Sequence, residues 1–194
     1  MTTPPLVLAS TSIYRKALLE RLRIPFECVS PGVDESRFHA TAADPIHLAT
    51  SLARAKAEAV ASMRPTSIVI GSDQVAEIDR TVLEKPGTRE NACAQLEALA
   101  GRTHRLHTAF TVLGPGFAET DLVTVRLQMR ALDRDAIERY VDADRPLDCC
   151  GSYRIESLGI ALFESIDAED ATAIEGLPLL KLARRLREAG YTLP

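Results

Sequence analysis

The segment Leu6-Val7-Leu8-Ala9-Ser10-Thr11-Ser12 constrains the fold of this chain more than any other. Four apolar residues with strand character run straight into three hydroxyl-bearing ones. Ala17, Leu18, Leu19 and Leu22 then recur at helical spacing as far as about Arg23. Strand, hydroxyl turn and helix start in immediate succession make an α/β unit, whose strand needs cover on both faces. The alternation continues. Phe26–Val29 reads as a second strand, and Asp44-Pro45 as an N-cap and first-turn proline opening a helix to about Met63. Ser67–Ile70 reads as a third strand, with Val75–Ile78 its continuation beyond a turn.

Thr88 caps a helix over Arg89–Leu99 that Gly101 stops, and Asp133 caps another to about Asp142. Between them, Thr108–Leu113 and Leu122–Met129 read as strands. The Gly114-Pro115-Gly116 turn between these two makes them an antiparallel pair. Gly159–Phe163 is expected as a late strand and Leu177–Ala189 as a terminal amphipathic helix. Parallel-type units followed by a hairpin imply an α/β fold with a mixed central sheet flanked by helices.

The 194 residues suit one domain, compact or two-lobed, with a sizeable core. A net charge of -4 argues against nonspecific nucleic-acid binding, which needs a positive surface. No apolar run approaches the roughly 20 residues of a membrane span. Met1-Thr2-Thr3-Pro4-Pro5 lacks a basic leader-like stretch, so a cytoplasmic protein is expected. Cys28, Cys93, Cys149 and Cys150 fit no paired zinc spacing and are expected as mostly buried, reduced thiols. His39, His47, His104 and His107 show no metal-ligand spacing either.

Several polar residues stand out against this frame. Gly71-Ser72-Asp73-Gln74 places an acid at the expected end of the Ser67–Ile70 strand, where open α/β sheets tend to bind ligands. An ordinary turn would have the same composition. Ser10, Ser12, Arg15 and Lys16 surround a helix amino terminus, whose free N–H groups and dipole suit a phosphate. A capped surface helix would look alike. Lys56 falls on the apolar stripe Ala49, Leu52, Ala53, Val60, either snorkelling to water or meeting phosphate oxygens. Lys85 precedes Pro86 in a loop that cannot be helical, and Asp34-Glu35 follows a strand. Carboxylates beside a triphosphate are the usual oxygen-rich setting for Mg²⁺. Together these residues outline a nucleotide-hydrolysis site. The chain has no Gly-Lys-Ser/Thr phosphate loop and no Gly-x-Gly-x-x-Gly fingerprint.

Six elements, in order, resemble those of the Maf family of nucleoside triphosphate pyrophosphatases. They are Leu8-Ala9-Ser10-Thr11-Ser12 with Arg15, Lys16, Leu18 and Leu19; Asp34-Glu35; Ala53-Arg54-Ala55-Lys56-Ala57; Lys85-Pro86; Gly151-Ser152-Tyr153; and Gly176-Leu177-Pro178. The resemblance covers essentially the whole length. It implies one domain over residues 1–194, with a mixed sheet and helices in two lobes with a cleft between them. Within the family, Gly71-Ser72-Asp73-Gln74 together with Glu156 is similar to the branch that acts on 7-methyl-GTP. The dTTP/UTP branch carries Asp-Thr and a glutamine at those points.

The resemblance implies Asp73 as the catalytic base, with Glu35 and Asp73 holding a divalent cation, Mg²⁺ or alternatively Mn²⁺ or Co²⁺. It assigns Ser10, Ser12, Arg15, Lys56 and Lys85 to the substrate phosphates and Tyr14, Gln74 and Glu156 to specificity. A methylated guanine ring is cationic, so an aromatic face attracts it, and a glutamate accepts from the guanine N1–H and amine. Tyr14 stands where the branch usually has tryptophan, a stronger cation–π surface, and Lys16 where the family has arginine. The expected partner is a small nucleotide, with no nucleic acid and no membrane, in a possible homodimer. The alternatives are a dTTP/UTP pyrophosphatase of the same family, or a non-catalytic nucleotide-binding regulator of septum formation.

Overall fold

The computed structural model describes residues 3–194; Met1 and Thr2, the start of the segment read as lacking a leader, lie outside the described residues. The elements run in the order β1 (Leu6–Ala9), α1 (Ile13–Glu20), β2 (Phe26–Cys28), α2 (Ser36–Thr41), α3 (Pro45–Ala61), β3 (Ile68–Ile78), β4 (Thr81–Leu83) and α4 (Arg89–Leu99). Then follow β5 (Thr103–Gly114), β6 (Phe117–Met129), α5 (Arg134–Asp144), a 3-10 turn (Leu158–Leu162), β7 (Phe163–Asp167), a second 3-10 turn (Ala171–Glu175) and α6 (Leu179–Glu188). The strands form one mixed seven-stranded sheet in the order β2-β1-β3-β5-β6-β7, with β4 paired to β3.

The chain divides into two compact units. The first comprises residues 3–73, 108–123 and 170–194. Here β1 pairs in parallel with β2 and with β3, in registers that include Leu8↔Cys28 and Ala9↔Gly71. Alternate residues of β1 enter two cores. Leu6 and Leu8 pack with Leu18, Leu19, Phe110, Leu182 and Leu186, whereas Val7 and Ala9 pack with Ala57, Val60 and Val69. A parallel strand covered on both faces has no polar side, which is why Leu6–Ala9 is apolar throughout. Tyr191 fixes the carboxyl-terminal segment by donating its hydroxyl to the Pro4 carbonyl at 2.7 Å.

The second unit comprises residues 74–107 and 124–169. The end of β3 turns back into β4 through Asp79 and Arg80, both at positive φ, as a two-residue hairpin requires. Thr88 and Asp133 cap α4 and α5 as expected, accepting from Asn91 N and Ala136 N. Arg89 joins these helices by a bidentate pair to Asp142. His104, Tyr153 and Phe163 pack ring against ring, with His104 Nε2 3.0 Å from the Tyr153 hydroxyl.

Several boundaries differ from those read in the sequence. The Gly71-Ser72-Asp73-Gln74 stretch is no turn: β3 continues through it for 11 residues. Its glycine answers to a close contact. A Cβ at Gly71 would lie 2.2 Å from the Ala53 carbonyl oxygen and 2.5 Å from the Ala57 nitrogen, so glycine lets α3 lie directly on the strand. Leu158–Leu162 is a 3-10 turn and the late strand begins only at Phe163. A Cβ at Gly159 would meet the Arg154 backbone at 2.2 Å, a local fold-back that an extended strand could not make. Helix α1 ends at Glu20, before Arg23 at positive φ and Pro25. Helix α6 begins only after Pro178. The short helix α2, read as loop, follows Asp34, whose carboxylate accepts from the Ser36 N–H and hydroxyl. The thiols are less buried than expected. Cys28 is exposed on edge strand β2, Cys149 and Cys150 are half-buried, and only Cys93 is buried.

Candidate active site

The first unit brings three of the expected residues into direct contact. Lys56 lies two-thirds of the way along α3, on the stripe that faces β3. Its Nζ donates to Asp73 Oδ1 at 2.6 Å and lies 2.7 Å from Glu35 Oε1. The Lys56 and Asp73 side chains are buried, while that of Glu35 is about half exposed, at 48%. Lys56 therefore does not snorkel to water. Its ammonium is spent on two acids, one from a strand and one from the loop before α2. Both carboxylates sit on a single cation and so within two hydrogen-bond lengths of one another.

The hydroxyl turn after β1 lies beside this group, because Ala9 and Gly71 are partners on neighbouring parallel strands. Ser10 is buried and its Oγ accepts from Ser12 N at 3.1 Å. Ser12 is the N-cap of α1, accepting from Arg15 N at 3.3 Å. Both serines thus order the turn that opens the helix. Arg15 is held at Nε, which donates to the Gly176 carbonyl at 3.0 Å. Tyr14 is half-buried in the first turn of α1. Lys16 stands apart, exposed and 3.9 Å from Glu20 on its own helix. Asp34 also stands apart, engaged with Ser36 and Arg37.

Gln74, Lys85 and Glu156 belong to the second unit. Gln74 is half-buried on β3, directly after Asp73. Lys85 and Glu156 are exposed. The Lys85 loop is anchored at Gly87, whose N–H donates to the Leu147 carbonyl at 3.0 Å, and Pro86 beside it is buried. Also in this unit, Glu77 is buried and accepts from Arg105 at 2.9 Å and from Arg80 N at 2.7 Å, while His107 donates to or accepts from Thr124 at 2.9 Å.

Sequence reasoning missed Ser72 and Gly176. The Ser72 side chain is fully buried, and its hydroxyl lies 2.8 Å from the Ala109 carbonyl and 3.1 Å from that of Gly176. Gly176 adopts φ +108° in the turn before α6 and takes both Arg15 and Ser72 on one oxygen. Both lay within motifs the sequence showed, Gly71-Ser72-Asp73-Gln74 and Gly176-Leu177-Pro178, with nothing to say what either residue touches.

A family model described as Maf-like protein matches residues 5–189 of this chain. The chain belongs to the Maf family. A Maf relative from Xanthomonas oryzae pv. oryzae, a 7-methyl-GTP pyrophosphatase, is 52% identical over 98% of this chain and 100% of its own length. Proteins of the same name from Polaromonas and Pseudomonas putida are 48% and 44% identical, over 99% and 98% of this chain and 88% and 99% of theirs. Among solved structures, the Staphylococcus aureus Ham1 protein superposes with a TM-score of 0.50 at 15% identity, over 94% of this chain and 99% of that one. At that identity the likeness is one of fold, and it agrees with the mixed α/β sheet.

The Maf chain's acidic pair suits a hard divalent cation in its chemistry. The donors are carboxylate oxygens already gathered around one positive charge. No group of three or more His, Cys, Asp or Glu is arranged for a metal among the described residues. Two protein carboxylates, completed by water and substrate phosphate, are the usual arrangement for Mg²⁺.

Proposed function

We propose that this Maf protein is a nucleoside triphosphate pyrophosphatase that hydrolyses 7-methyl-GTP to 7-methyl-GMP and diphosphate, clearing a modified nucleotide. The observation that carries the reaction class is the Lys56 ammonium shared by Asp73 and Glu35, next to the turn that carries Ser10, Ser12 and Arg15. The names of relatives at 44–52% identity support the substrate.

In this reading Asp73 accepts a proton from water as the water oxygen bonds to the α-phosphorus. The bond from that phosphorus to the bridging oxygen breaks, and diphosphate leaves with the electron pair. Arg15, Lys56 and Lys85 set fixed positive charge against the phosphates, where negative charge accumulates. Ser10 and Ser12 hold the start of α1 in the geometry that offers its N–H groups to an anion. A divalent cation on Glu35 and Asp73, Mg²⁺ or alternatively Mn²⁺ or Co²⁺, supplies further charge neutralisation. Tyr14 gives an aromatic face to the cationic base, Glu156 accepts from its N1–H and amine, and Gln74 reads the base edge.

Binding alone does not need a water-activating acid such as Asp73, so the non-catalytic reading is the weaker one. No helix is long and apolar enough to cross a membrane among the described residues. A cytoplasmic location and a homodimer belong to the proposal, the first because its substrate pool is there. Diphosphate release measured on 7-methyl-GTP, GTP, dTTP and UTP tests the function. Fastest turnover of 7-methyl-GTP is expected. Preference for dTTP or UTP would move the protein to the other branch, and no turnover of any would leave it a binder.

A further inference from the structure

The Lys56 contacts carry a consequence beyond phosphate binding. Its ammonium lies on Asp73 Oδ1 and near Glu35 Oε1, between the two acids the proposed function assigns to the metal. The backbone that carries it cannot withdraw. It is only 9% exposed, and Ala53 and Ala57, one turn before it and one residue after, are pressed on Gly71 with no space for a Cβ. The helix that carries Lys56 is therefore fixed against the strand that carries Asp73, and only the lysine stem can move.

We infer that Lys56 is a resident cation that keeps the Glu35–Asp73 pair closed to divalent metal until a triphosphate draws its ammonium away. The inference rests on the pyrophosphatase reading. Two carboxylates neutralised in part by a buried ammonium attract a second cation weakly. An ion arriving there also meets the like charge of Lys56 at close range. A polyphosphate changes the balance, because its oxygens offer the ammonium new partners a few ångströms away. Once Lys56 turns to them, both acids are released together. Metal then enters with the nucleotide, and the protein without nucleotide holds none.

The test is Mn²⁺ binding without nucleotide, followed by the electron paramagnetic resonance signal of free Mn²⁺ and by titration calorimetry. Wild type is expected to show no saturable site in the low-millimolar range. Lys56→Met is expected to bind Mn²⁺ about tenfold more tightly or better, since the competing charge is gone. That gain should vanish in the Lys56→Met, Asp73→Asn double variant. Mn²⁺ should raise the melting temperature of Lys56→Met but not of wild type. Lys56→Gln serves the same purpose if the methionine variant does not fold. Equal Mn²⁺ affinity of wild type and either variant overturns the inference, as does a saturable wild-type site without nucleotide. Diphosphate release by wild type separates the two failures. Its loss across the panel sinks the function, whereas normal release with a wild-type metal site sinks only the role given to Lys56.

Discussion

Arg15 and Ser72 share one acceptor: the Gly176 carbonyl takes the arginine Nε–H at 3.0 Å and lies 3.1 Å from the serine hydroxyl. Residues from α1, from β3 and from the turn before α6 thus meet at a single oxygen. Ser72 is the residue before Asp73, and Arg15 is the guanidinium assigned to phosphate. The geometry of the two is set by a peptide more than a hundred residues away in the chain.

Ser72→Ala leaves the Ala109 carbonyl without this donor and the Gly176 carbonyl with Arg15, at a fully buried position. A loss of about 1–3 kcal/mol is expected, read from urea denaturation of both proteins. A change under half that size would mean that water replaces the hydroxyl.

Gly71→Ala should be far worse than its size suggests. The new methyl meets the backbone of α3 at 2.2 and 2.5 Å, and a helix backbone cannot step aside alone. An alanine at Gly32, where nothing lies within 4 Å, meets only the strain of positive φ, about 1 kcal/mol. We expect Gly71→Ala to lose several times more stability than Gly32→Ala in parallel melts, with diphosphate release falling alongside as Lys56 moves off Asp73.

Asp73→Asn keeps the shape of the side chain and removes the base. Turnover of 7-methyl-GTP is expected to fall by about 10²–10⁴, with an unchanged circular dichroism spectrum. Diphosphate release near the wild-type rate would remove Asp73 from the chemistry.

Glu156→Gln exchanges a charged acceptor for an amide that both donates and accepts. Relative rates should shift away from 7-methyl-GTP toward dTTP and UTP in a competition assay. Unchanged ratios would show that the exposed Glu156 does not read the base.

His104 makes acid stability a local question. Burial lowers its pKa to about 4, with the Glu77 charge pulling the other way, and its Nδ1 has no hydrogen-bond partner among the described residues. The unfolded chain takes up this proton near pH 6.5 and the folded one does not. Its contribution is therefore fully present above pH 6.5 and is lost as pH falls toward 4, by on the order of 3 kcal/mol. Melts from pH 7.5 to 4.5 should show that slope, and His104→Gln should flatten it.

How far the sequence could be read follows from what kind of contact each residue makes. Caps were legible because a Thr88 or an Asp133 acts within four residues of itself. The Lys56 anomaly was legible too, because helical spacing alone puts a charge on an apolar stripe. Gly71 and Ser72 misled, since composition that marks a turn also serves where a helix backbone lies on a strand and a hydroxyl is satisfied at long range. Gly159 misled for the same reason, an apolar run hiding a fold-back onto Arg154. Glycine and serine report that space or a hydroxyl is needed, and only tertiary contacts say which.

The boundary between the two units falls at the peptide bond joining Asp73 to Gln74, and the chain crosses it again at 107–108, 123–124 and 169–170. Neither unit is a continuous stretch of polypeptide. Exchange of the whole second unit would therefore take two separate replacements, at 74–107 and 124–169, the first of them beginning at the residue after Asp73. Point replacement is the simpler route to a new substrate choice, at residues such as the half-buried Tyr14 and the exposed Glu156.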